Sequence, residues 1–270
     1  MKKNPSAFFV RAAVVLSLSY VPSRALAQNV SLGSSSNFAV LGASTVTSTG
    51  PTVVTGDLGL WPGTSITGFP PGIVIGATHQ TDAVAQQAQA DLTTAYNDAA
   101  GRPCGTTLTG QDLGSVGTLA PGVYCFATSA QLTGTLPLSG AGVYIFKIGT
   151  TLTTASNASV TLSNGASACG VWWQVGSSAT LGTTTSLAGN VLALASITLN
   201  TGANLNGRAL ARTAAVTLDS NNVTACSGGP SPPVPPPASL MAVPSLGRPA
   251  LAFLAIALSG VALLALRRGF

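Results

Sequence analysis

Threonines that stand alone between aliphatic residues recur regularly in this chain. The stretches GNVLALASITLN (189–200) and GRALARTAAVTLD (207–219) begin 18 residues apart, and each carries one such residue, Thr198 or Thr217. A threonine presents a hydroxyl and a methyl group in a fixed relation, because its side chain is stiff at χ1. Repeated at a regular spacing, these groups favour hydrogen bonding to an extended surface over chemistry at a single centre.

Residues for acid–base catalysis or metal binding are sparse. The six acidic residues are all aspartates, and three of them, Asp82, Asp91 and Asp98, fall in one predicted helix. Enzymes that cleave polysaccharides need paired carboxylates at one groove, whereas the other three aspartates are far apart in sequence. The single histidine, His79, stands just before the helix, where a capping or surface role is usual. The sequence therefore predicts no catalytic site, no metal and no cofactor.

The four cysteines predict two structural disulfides. No two of them form a C-x-x-C pair, which argues against a zinc site. An even number of cysteines in an exported chain favours disulfides, and four cysteines allow three pairings. We favour Cys104 with Cys125 and Cys169 with Cys226, since the second pair ties the last predicted strand to an earlier coil.

Both ends of the chain are predicted to lie outside the fold. Residues 1–27 have a basic start, an apolar middle and a final Ala-Leu-Ala, as a cleaved secretory signal peptide does. Residues 28–227 form the predicted domain, and residues 228–243 form a proline-rich linker. In the tail, residues 244–270, an uncharged apolar stretch (250–266) precedes Arg267 and Arg268. This pattern predicts contact with a membrane and a domain that is secreted or held at the cell surface.

The charge of the domain differs from that of the whole chain. The net charge of +5 comes from cations in the terminal segments, because residues 28–229 contain four cations and six aspartates, a net charge of −2. Four scattered cations do not form the basic patch that neutralises phosphates. The charge pattern therefore argues against a nucleic-acid partner.

Glycine-led apolar runs divide the second half of the domain into units of similar length. Five such runs begin at Gly122, Gly142, Gly170, Gly189 and Gly207, at spacings of 20, 28, 19 and 18 residues. Units of this length stack on one another, because each alone cannot bury its apolar face. The shortest units suffice for three short strands and three tight corners, which is one turn of a triangular β-solenoid.

Strand periodicity predicts that one face of this solenoid carries hydroxyl groups. Side chains alternate between the two sides of a strand, so the aliphatic neighbours of each threonine point inward and the threonine points outward. Coils stack about 4.8 Å apart and alternate residues lie about 6.7 Å apart along a strand, so the threonines form a grid that can hold ordered water. The alternative is that threonine, a good β-former, merely keeps an uncharged face soluble. The residues assigned to this face are Thr45, Thr47, Thr151, Thr153, Thr161, Thr180, Thr198 and Thr217.

One helix is predicted at about residues 80–100. In TDAVAQQAQADLTTAYNDAAGRP (81–103), apolar residues recur at helical spacing, Thr81 or Asp82 can cap the start, and Gly101 and Pro103 end it. In strands such as GVYIF and GVWWQV the side chains on both sides of the strand are apolar, so both sides must be covered. We therefore expect the helix to lie along one face of the solenoid. Its predicted apolar face is Val84, Ala88, Leu92, Ala95, Tyr96 and Ala99, packed against Tyr144, Phe146 and Trp172.

Several motifs resemble the bacterial and fungal ice-binding proteins, which have a discontinuous β-solenoid and one companion helix. These motifs include NFAVLGASTVTSTGPTVVTGDLGLWPG (37–63), AQADLTTAYNDAAGRPC (88–104), TLAPGVYCF and ITLNTGANLNGRALA. The resemblance covers residues 30–226. It implies an all-β solenoid, a triangular right-handed β-helix with discontinuous coils and the helix packed along one face. It also implies adsorption to ice through the eight threonines named above, without catalysis or a cofactor. We expect the domain to be monomeric.

The C-terminal tail resembles another known device, the PEP-CTERM-like sorting tails of the Ile-Pro-Thr-Leu subtype. VPSLG (243–247) stands in the place of that opening motif. The resemblance implies an envelope sorting protease as a partner.

The alternative to ice binding is that the protein is a cell-surface adhesin or matrix component, which binds glycans or cells through the threonine face.

Overall fold

The computed structural model describes residues 28–226, which form one α-helix and a set of parallel β-strands around an apolar interior. The predicted signal peptide, proline-rich linker and C-terminal tail lie outside the described residues. Within residues 28–226, no helix has the length and apolar character needed to cross a membrane.

The strands are short, and glycine, asparagine and threonine occupy many of the corners between them. The helix α1 spans Ala83–Gly101, and short 3₁₀ helices span Gly33–Asn37 and Ala168–Gly170. The strands, in chain order, are β1 (Phe38–Gly42), β2 (Thr45–Thr49), β3 (Val53–Thr55), β4 (Asp57–Leu60), β5 (Ser65–Thr67), β6 (Ile73–Ile75), β7 (Thr78–Gln80), β8 (Thr106–Thr107), β9 (Gly122–Phe126), β10 (Ala130–Leu132), β11 (Thr135–Ser139), β12 (Tyr144–Ile148), β13 (Leu152–Thr154), β14 (Ser159–Ser163), β15 (Val171–Val175), β16 (Ala179–Leu181), β17 (Ser186–Ala193), β18 (Ile197–Leu199), β19 (Asn204–Ala211), β20 (Val216–Asp219) and β21 (Asn222–Thr224).

Seven strands form one parallel sheet, which we call the threonine ladder. Its order is β10-β13-β16-β18-β20-β2-β5. The first five strands follow chain order, whereas β2 and β5 come from the N-terminal part of the chain. Thr47 of β2 lies opposite Thr217 of β20 at this junction. The winding is therefore discontinuous, as predicted, because the N-terminal coils continue the stack that the C-terminal coils form.

A 14-stranded sheet contains the remaining strands and divides into two ladders. The long strands β17 and β19 belong to both ladders. The first half of β17 pairs with β14 and its second half with β15. The first half of β19 pairs with β21 and its second half with β1. Gly189 and Gly207 lie opposite each other in these strands with φ of 120° and 149°, and a Cβ atom at Gly207 would overlap the carbonyl oxygen of Gly189. Only glycine tolerates this turn between ladders. The helix-side ladder is β8-β9-β12-β15-β17-β19-β1-β4-β7, and the third ladder is β11-β14-β17-β19-β21-β3-β6.

The interior between the ladders is apolar and repeats from coil to coil. Phe146 of β12 pairs in register with Tyr124 of β9 and with Trp173 of β15. The three rings stack, with centroids 5.4 Å apart for Tyr124 and Phe146 and 4.2 Å apart for Phe146 and Trp173. Each stacked pair contributes about 0.5–1.5 kcal/mol beyond the burial of its surface.

The helix α1 is close to the predicted range and is capped as predicted. The carboxylate of Asp82 accepts a hydrogen bond of 2.8 Å from the amide of Ala85. At the other end, the Lys147 ammonium donates to the carbonyl of Arg102 at 2.6 Å, which places a cation at the negative end of the helix. Both ends are therefore held by side chains.

The predicted packing of α1 is wrong in two places. Val84 is 46% exposed and lies outside the buried stripe of the helix. In β12 the side chain that faces the helix is Ile145, whereas Tyr144 and Phe146 point into the solenoid interior. Trp172 does pack beneath the helix, as predicted. Side chains on both sides of β12 are buried, so the alternation of polar and apolar residues does not show which side chains face the helix.

Gln89 joins the helix to both sides of the discontinuity. Its amide is buried and donates to the carbonyl of Gly42, at the end of β1, and to that of Ala211, at the end of β19, over 2.9 and 3.1 Å. The strands β1 and β19 are neighbours although they come from opposite ends of the domain. Gln89 therefore bridges the two parts of the chain at the point where they meet.

Two disulfides and a buried arginine also link distant parts of the domain. Both favoured disulfides are present, Cys104–Cys125 and Cys169–Cys226, so the predicted pairing is confirmed. The guanidinium of Arg208, on β19, is buried and donates to the carbonyl of Ser36 at 2.7 Å and to that of Cys226 at 3.0 Å. Arg208 thus links the N-terminal segment to the last described residue.

Candidate functional site

The threonine ladder carries one threonine at the same register position in each of six neighbouring strands. Strand pairing aligns these residues directly, from Thr153 through Thr180, Thr198, Thr217 and Thr47 to Thr67. Gln131 continues the row at the end beyond Thr153. We call these six threonines the threonine row. Of the predicted residues, Thr47, Thr153, Thr180, Thr198 and Thr217 are brought together in it.

A second line of small residues, five of its six with hydroxyl groups, runs beside the threonine row. Each lies two residues before a row member, and Thr45 pairs in register with Ser65. The hydroxyl of Ser196 donates to that of Ser178 at 2.9 Å, so neighbouring coils are linked along this line. The members of the line are Thr151, Ser178, Ser196, Ala215, Thr45 and Ser65.

Buried aliphatic residues hold the row facing outward. In a strand, neighbouring side chains point to opposite sides, so burial of the residues on either side of a threonine directs it to solvent. Ile197 and Leu199 are both fully buried around Thr198, and the same pattern recurs in the adjacent strands. The buried residues that flank or precede the row are Val46, Leu152, Ala179, Leu181, Ile197, Leu199, Val216 and Leu218.

Most hydroxyl groups of the row have no partner within the described residues. Thr67, Thr153, Thr180 and Thr198 make no side-chain hydrogen bond to residues 28–226, and the Oγ1 atoms of Thr47 and Thr217 are 3.5 Å apart. Hydroxyl–hydroxyl bonds are usually 2.5–3.0 Å long, so even this contact is weak. The hydroxyl groups are therefore available to water.

One charged residue borders the row. Asp219 lies two residues beyond Thr217 and pairs in register with Thr49. A hydrogen bond from the hydroxyl of Thr201, with a further one from Ser220, keeps the pKa of the Asp219 carboxyl below its usual value. The group is therefore ionised at neutral pH and lies at the edge of the row, not within it.

The prediction that Thr161 belongs to this surface is wrong. Thr161 is exposed, as its flanking aliphatic residues predict, but its strand β14 belongs to the third ladder, where Thr161 pairs with Pro137. Periodicity shows which side chains point outward, but it does not show to which ladder their strand belongs. Thr67 was missed because it has only one aliphatic neighbour in SIT and a glycine follows it.

The third ladder is also polar, but its side chains bond to one another. The amide of Asn222 donates to the Oδ1 atom of Asn204 at 3.0 Å, and the hydroxyls of Thr135 and Ser159 are 2.9 Å apart. Hydrogen-bonding groups that satisfy each other across coils present fewer free groups to an external surface. The third ladder therefore differs from the threonine row in what it can bind.

No cluster of metal-binding type occurs in the described part of the chain. Among residues 28–226, no three His, Cys, Asp or Glu side chains gather at one place. His79 is paired with the helix cap, its Nδ1 atom 2.8 Å from Asp82. A cavity of about 550 Å³ beside the Cys104–Cys125 disulfide is lined by residues such as Tyr96 and Lys147 and contains no pair of acidic residues.

These observations together define a class of protein. A parallel-stranded scaffold presents a row of uncharged hydroxyl groups in register, which is an extended candidate surface for binding. The chain belongs to the ice-binding-like family, whose model matches residues 40–224. The threonine ladder lies entirely within that range.

Relatives and solved structures agree with this assignment. An ice-binding protein of Nostoc sp. (strain HG1) is 51% identical over 248 residues, which cover 88% of this chain and 91% of the relative. An ice-binding protein of Flavobacterium frigoris (strain PS1) is 34% identical over 72% of this chain and 76% of its own length. The crystal structure of an ice-binding protein from an Antarctic biological consortium is 48% identical, with a TM-score of 0.72 over 74% of this chain and 92% of that one. That of an ice-binding protein from the Antarctic ascomycete Antarctomyces psychrotrophicus is 42% identical, with a TM-score of 0.72 over 74% of this chain and all of that one.

Proposed function

We propose that this protein binds ice through the threonine ladder and thereby inhibits ice growth and recrystallisation. The observation that carries the proposal is the register of six threonines on six adjacent parallel strands, with their hydroxyl groups facing solvent. The surface acts by adsorption, without catalysis or a cofactor.

The spacing of the row suits a crystalline partner. Adjacent strands lie about 4.8 Å apart, and the second line, in which five of six residues carry hydroxyl groups, lies about 6.7 Å from the row along the strands. Each threonine holds its methyl and hydroxyl groups in a fixed relation, since its χ1 torsion is restricted. The ladder can therefore order water in two dimensions before contact, so little conformational entropy is lost on adsorption.

The other two ladders are less suited to this role. The helix-side ladder is covered by α1, which buries Leu92 against Trp172 and Ile145. The third ladder has its amides and hydroxyls partly satisfied by each other, as in the Asn204–Asn222 pair. The threonine ladder is the surface that combines exposure, regular spacing and free hydroxyl groups.

We also propose the finer features of the fold. The three ladders are the sides of a triangular, right-handed solenoid, with α1 along one side. The domain corresponds to residues 28–227 and acts as a monomer. The succession of short strands within units of about 18 residues supports this arrangement.

The site of action that we propose is outside the cell or on its surface. Disulfides persist in oxidising compartments, and both of those present here are consistent with export. Residues 1–27 would direct export as a signal peptide. Residues 228–243 would serve as a linker, and residues 244–270 would contact the membrane as a tail processed by an envelope sorting protease.

The experiment is a measurement of thermal hysteresis and of ice recrystallisation with the purified protein. We expect activity in the wild type and its loss in Thr198→Tyr, because a ring at the centre of the row lifts the surface away from ice. The matched control is Thr161→Tyr, which places the same ring on an exposed threonine of the third ladder and should keep full activity. A wild type without either effect would contradict the proposal and would favour adhesion to a glycan or cell.

A further inference from the structure

Gln131 occupies the seventh position of the row. It lies on β10, the terminal strand of the threonine ladder, directly opposite Thr153 of β13. Its side chain is exposed, and its amide makes one long contact of 3.5 Å with the hydroxyl of Thr133. Gln131 therefore faces solvent on the same side of the sheet as the six threonines.

The shape of glutamine differs from that of threonine in a way that matters for a flat partner. A threonine side chain ends one bond beyond Cβ, whereas the amide of glutamine lies two bonds further out, about 2.5 Å when extended. Threonine is also held at χ1, while glutamine turns about three torsions. A flat surface that contacts the threonines therefore cannot reach the sheet at Gln131, because the longer side chain protrudes. Contact there would require the glutamine to adopt one fixed conformation, at a cost in side-chain entropy.

The chain beyond Gln131 is unsuited to ice as well. Asp112 pairs with Gln131 in an isolated parallel bridge and so follows it in the same line. Burial raises the pKa of the Asp112 carboxyl, but hydrogen bonds from Thr133 and Gly114 outweigh this effect and keep the pKa below its usual value. The carboxylate is ionised at neutral pH and keeps its own hydration shell.

We propose that Gln131 sets the edge of the ice-contacting surface, which extends over six strands of the threonine ladder and stops before the seventh. The inference rests on the proposed function, adsorption to ice through the threonine row. It assigns to Gln131 the role of limiting the contact area, and so the strength of adsorption.

The test compares thermal hysteresis of three variants of the full protein with wild type at equal molar concentration. Gln131→Thr completes the row, and its hysteresis should rise at least in proportion to the contact area, seven strands against six. Thr153→Gln moves the obstruction one strand inward and should lower hysteresis. Gln86→Thr, at an exposed glutamine of α1, is the matched control and should leave hysteresis unchanged.

The outcomes separate this inference from the proposed function. A Gln131→Thr variant with unchanged circular dichroism and Tm but with hysteresis equal to or below wild type would overturn the inference, because Gln131 would then not limit the contact with ice. If Gln131→Thr does not fold, Gln131→Ser removes the same protruding atoms and is judged by the same result. Failure of the proposed function gives a different pattern, in which the wild type itself shows no hysteresis, and the inference then fails with it.

Discussion

Thr47 and Thr217 lie opposite each other on adjacent strands although they are 170 residues apart in the chain, and their Oγ1 atoms are 3.5 Å apart. This pair joins the C-terminal strands of the threonine ladder to its N-terminal strands. The row is continuous in space because of this pairing. It is divided only in sequence.

Continuity of the row predicts equal sensitivity on both sides of the junction. Thr47→Tyr should abolish thermal hysteresis as Thr198→Tyr does, since loss of about 1.4 kcal/mol of contact free energy already weakens adsorption tenfold. Thermal hysteresis of the two variants at the same concentration checks this. If Thr47→Tyr kept wild-type activity, the ice-contacting surface would end at Thr217.

Removal of the Gln89 amide should destabilise the domain. Gln89→Leu keeps the bulk of the side chain but leaves the carbonyls of Gly42 and Ala211 without their buried donor. The amide of Trp61 still donates to the carbonyl of Gly42 at 3.2 Å, so the main cost is that of the Ala211 carbonyl, and the free energy of unfolding in urea should fall by about 1–3 kcal/mol. Gln86→Leu, at an exposed position of the same helix, should change it by less than about 0.5 kcal/mol. Equal effects of the two variants would show that the bridge adds nothing.

Arg208 should tolerate no conservative replacement. Lysine has three donors on a single nitrogen and cannot reach the carbonyls of Ser36 and Cys226 and the side chain of Asn190 together. We expect Arg208→Lys to lower the free energy of unfolding by about 2–4 kcal/mol, measured by urea denaturation followed by circular dichroism. Thermal hysteresis near 0 °C should persist in this variant, because Arg208 is remote from the row. A variant as stable as wild type would refute the linking role of Arg208.

The two disulfides should differ in what they contribute. Cys169–Cys226 closes a loop with a sequence separation of 57 and Cys104–Cys125 one of 21. Chain-entropy estimates give about 4 and about 3 kcal/mol respectively, so replacement of the first pair by alanines should lower Tm more. Calorimetry of the two double variants at one protein concentration measures the difference. The reverse order of Tm values would show that loop length does not govern their contributions.

Acid should weaken the fold through its hydrogen-bonded aspartates. The hydroxyl of Ser34, with its amide, keeps the pKa of the Asp91 carboxyl below the ordinary value of 3.8. Because the pKa is lower in the folded state than in the unfolded state, this stabilisation is present above pH 3.8 and is lost as the pH falls toward the folded-state pKa. Asp82, held by the amide of Ala85, and Asp219, held by Thr201, act with the same sign.

The Tm is therefore expected to change little between about pH 5 and pH 7 and to fall below about pH 3.8. Asp91→Asn should have a lower Tm than wild type at pH 7 and a flatter decline in acid. A parallel decline in wild type and variant would remove Asp91 as a source of the acid sensitivity.

The sequence predicts the parts of this structure that follow from alternation and capping. The strands around Thr180, Thr198 and Thr217 were predicted because each threonine lies between aliphatic residues that must point inward. The helix was predicted because its apolar spacing is regular and Asp82 can cap it. Both disulfide pairs were chosen correctly from three possibilities.

What alternation does not encode is the side of the solenoid to which a strand belongs. Thr161 has the same local pattern as Thr198 but lies on the third ladder, since the chain turns an additional corner before β14. Ile145 and Phe146 are both apolar, so the sequence could not tell which of them faces the helix. Thr67 lacks the flanking aliphatic pair, and only its pairing with Thr47 places it in the row.

The discontinuous winding also has a consequence for how the protein is made. The strand β2 emerges early during synthesis, but its neighbour β20 is among the last strands to be translated, so the N-terminal coils lack the C-terminal coil on which they stack. Contacts so distant in sequence form late and slowly. A nascent chain that stops before Val216 lacks β20 and therefore cannot join the two parts of the threonine ladder, so the binding surface is complete only when the last coil has been made.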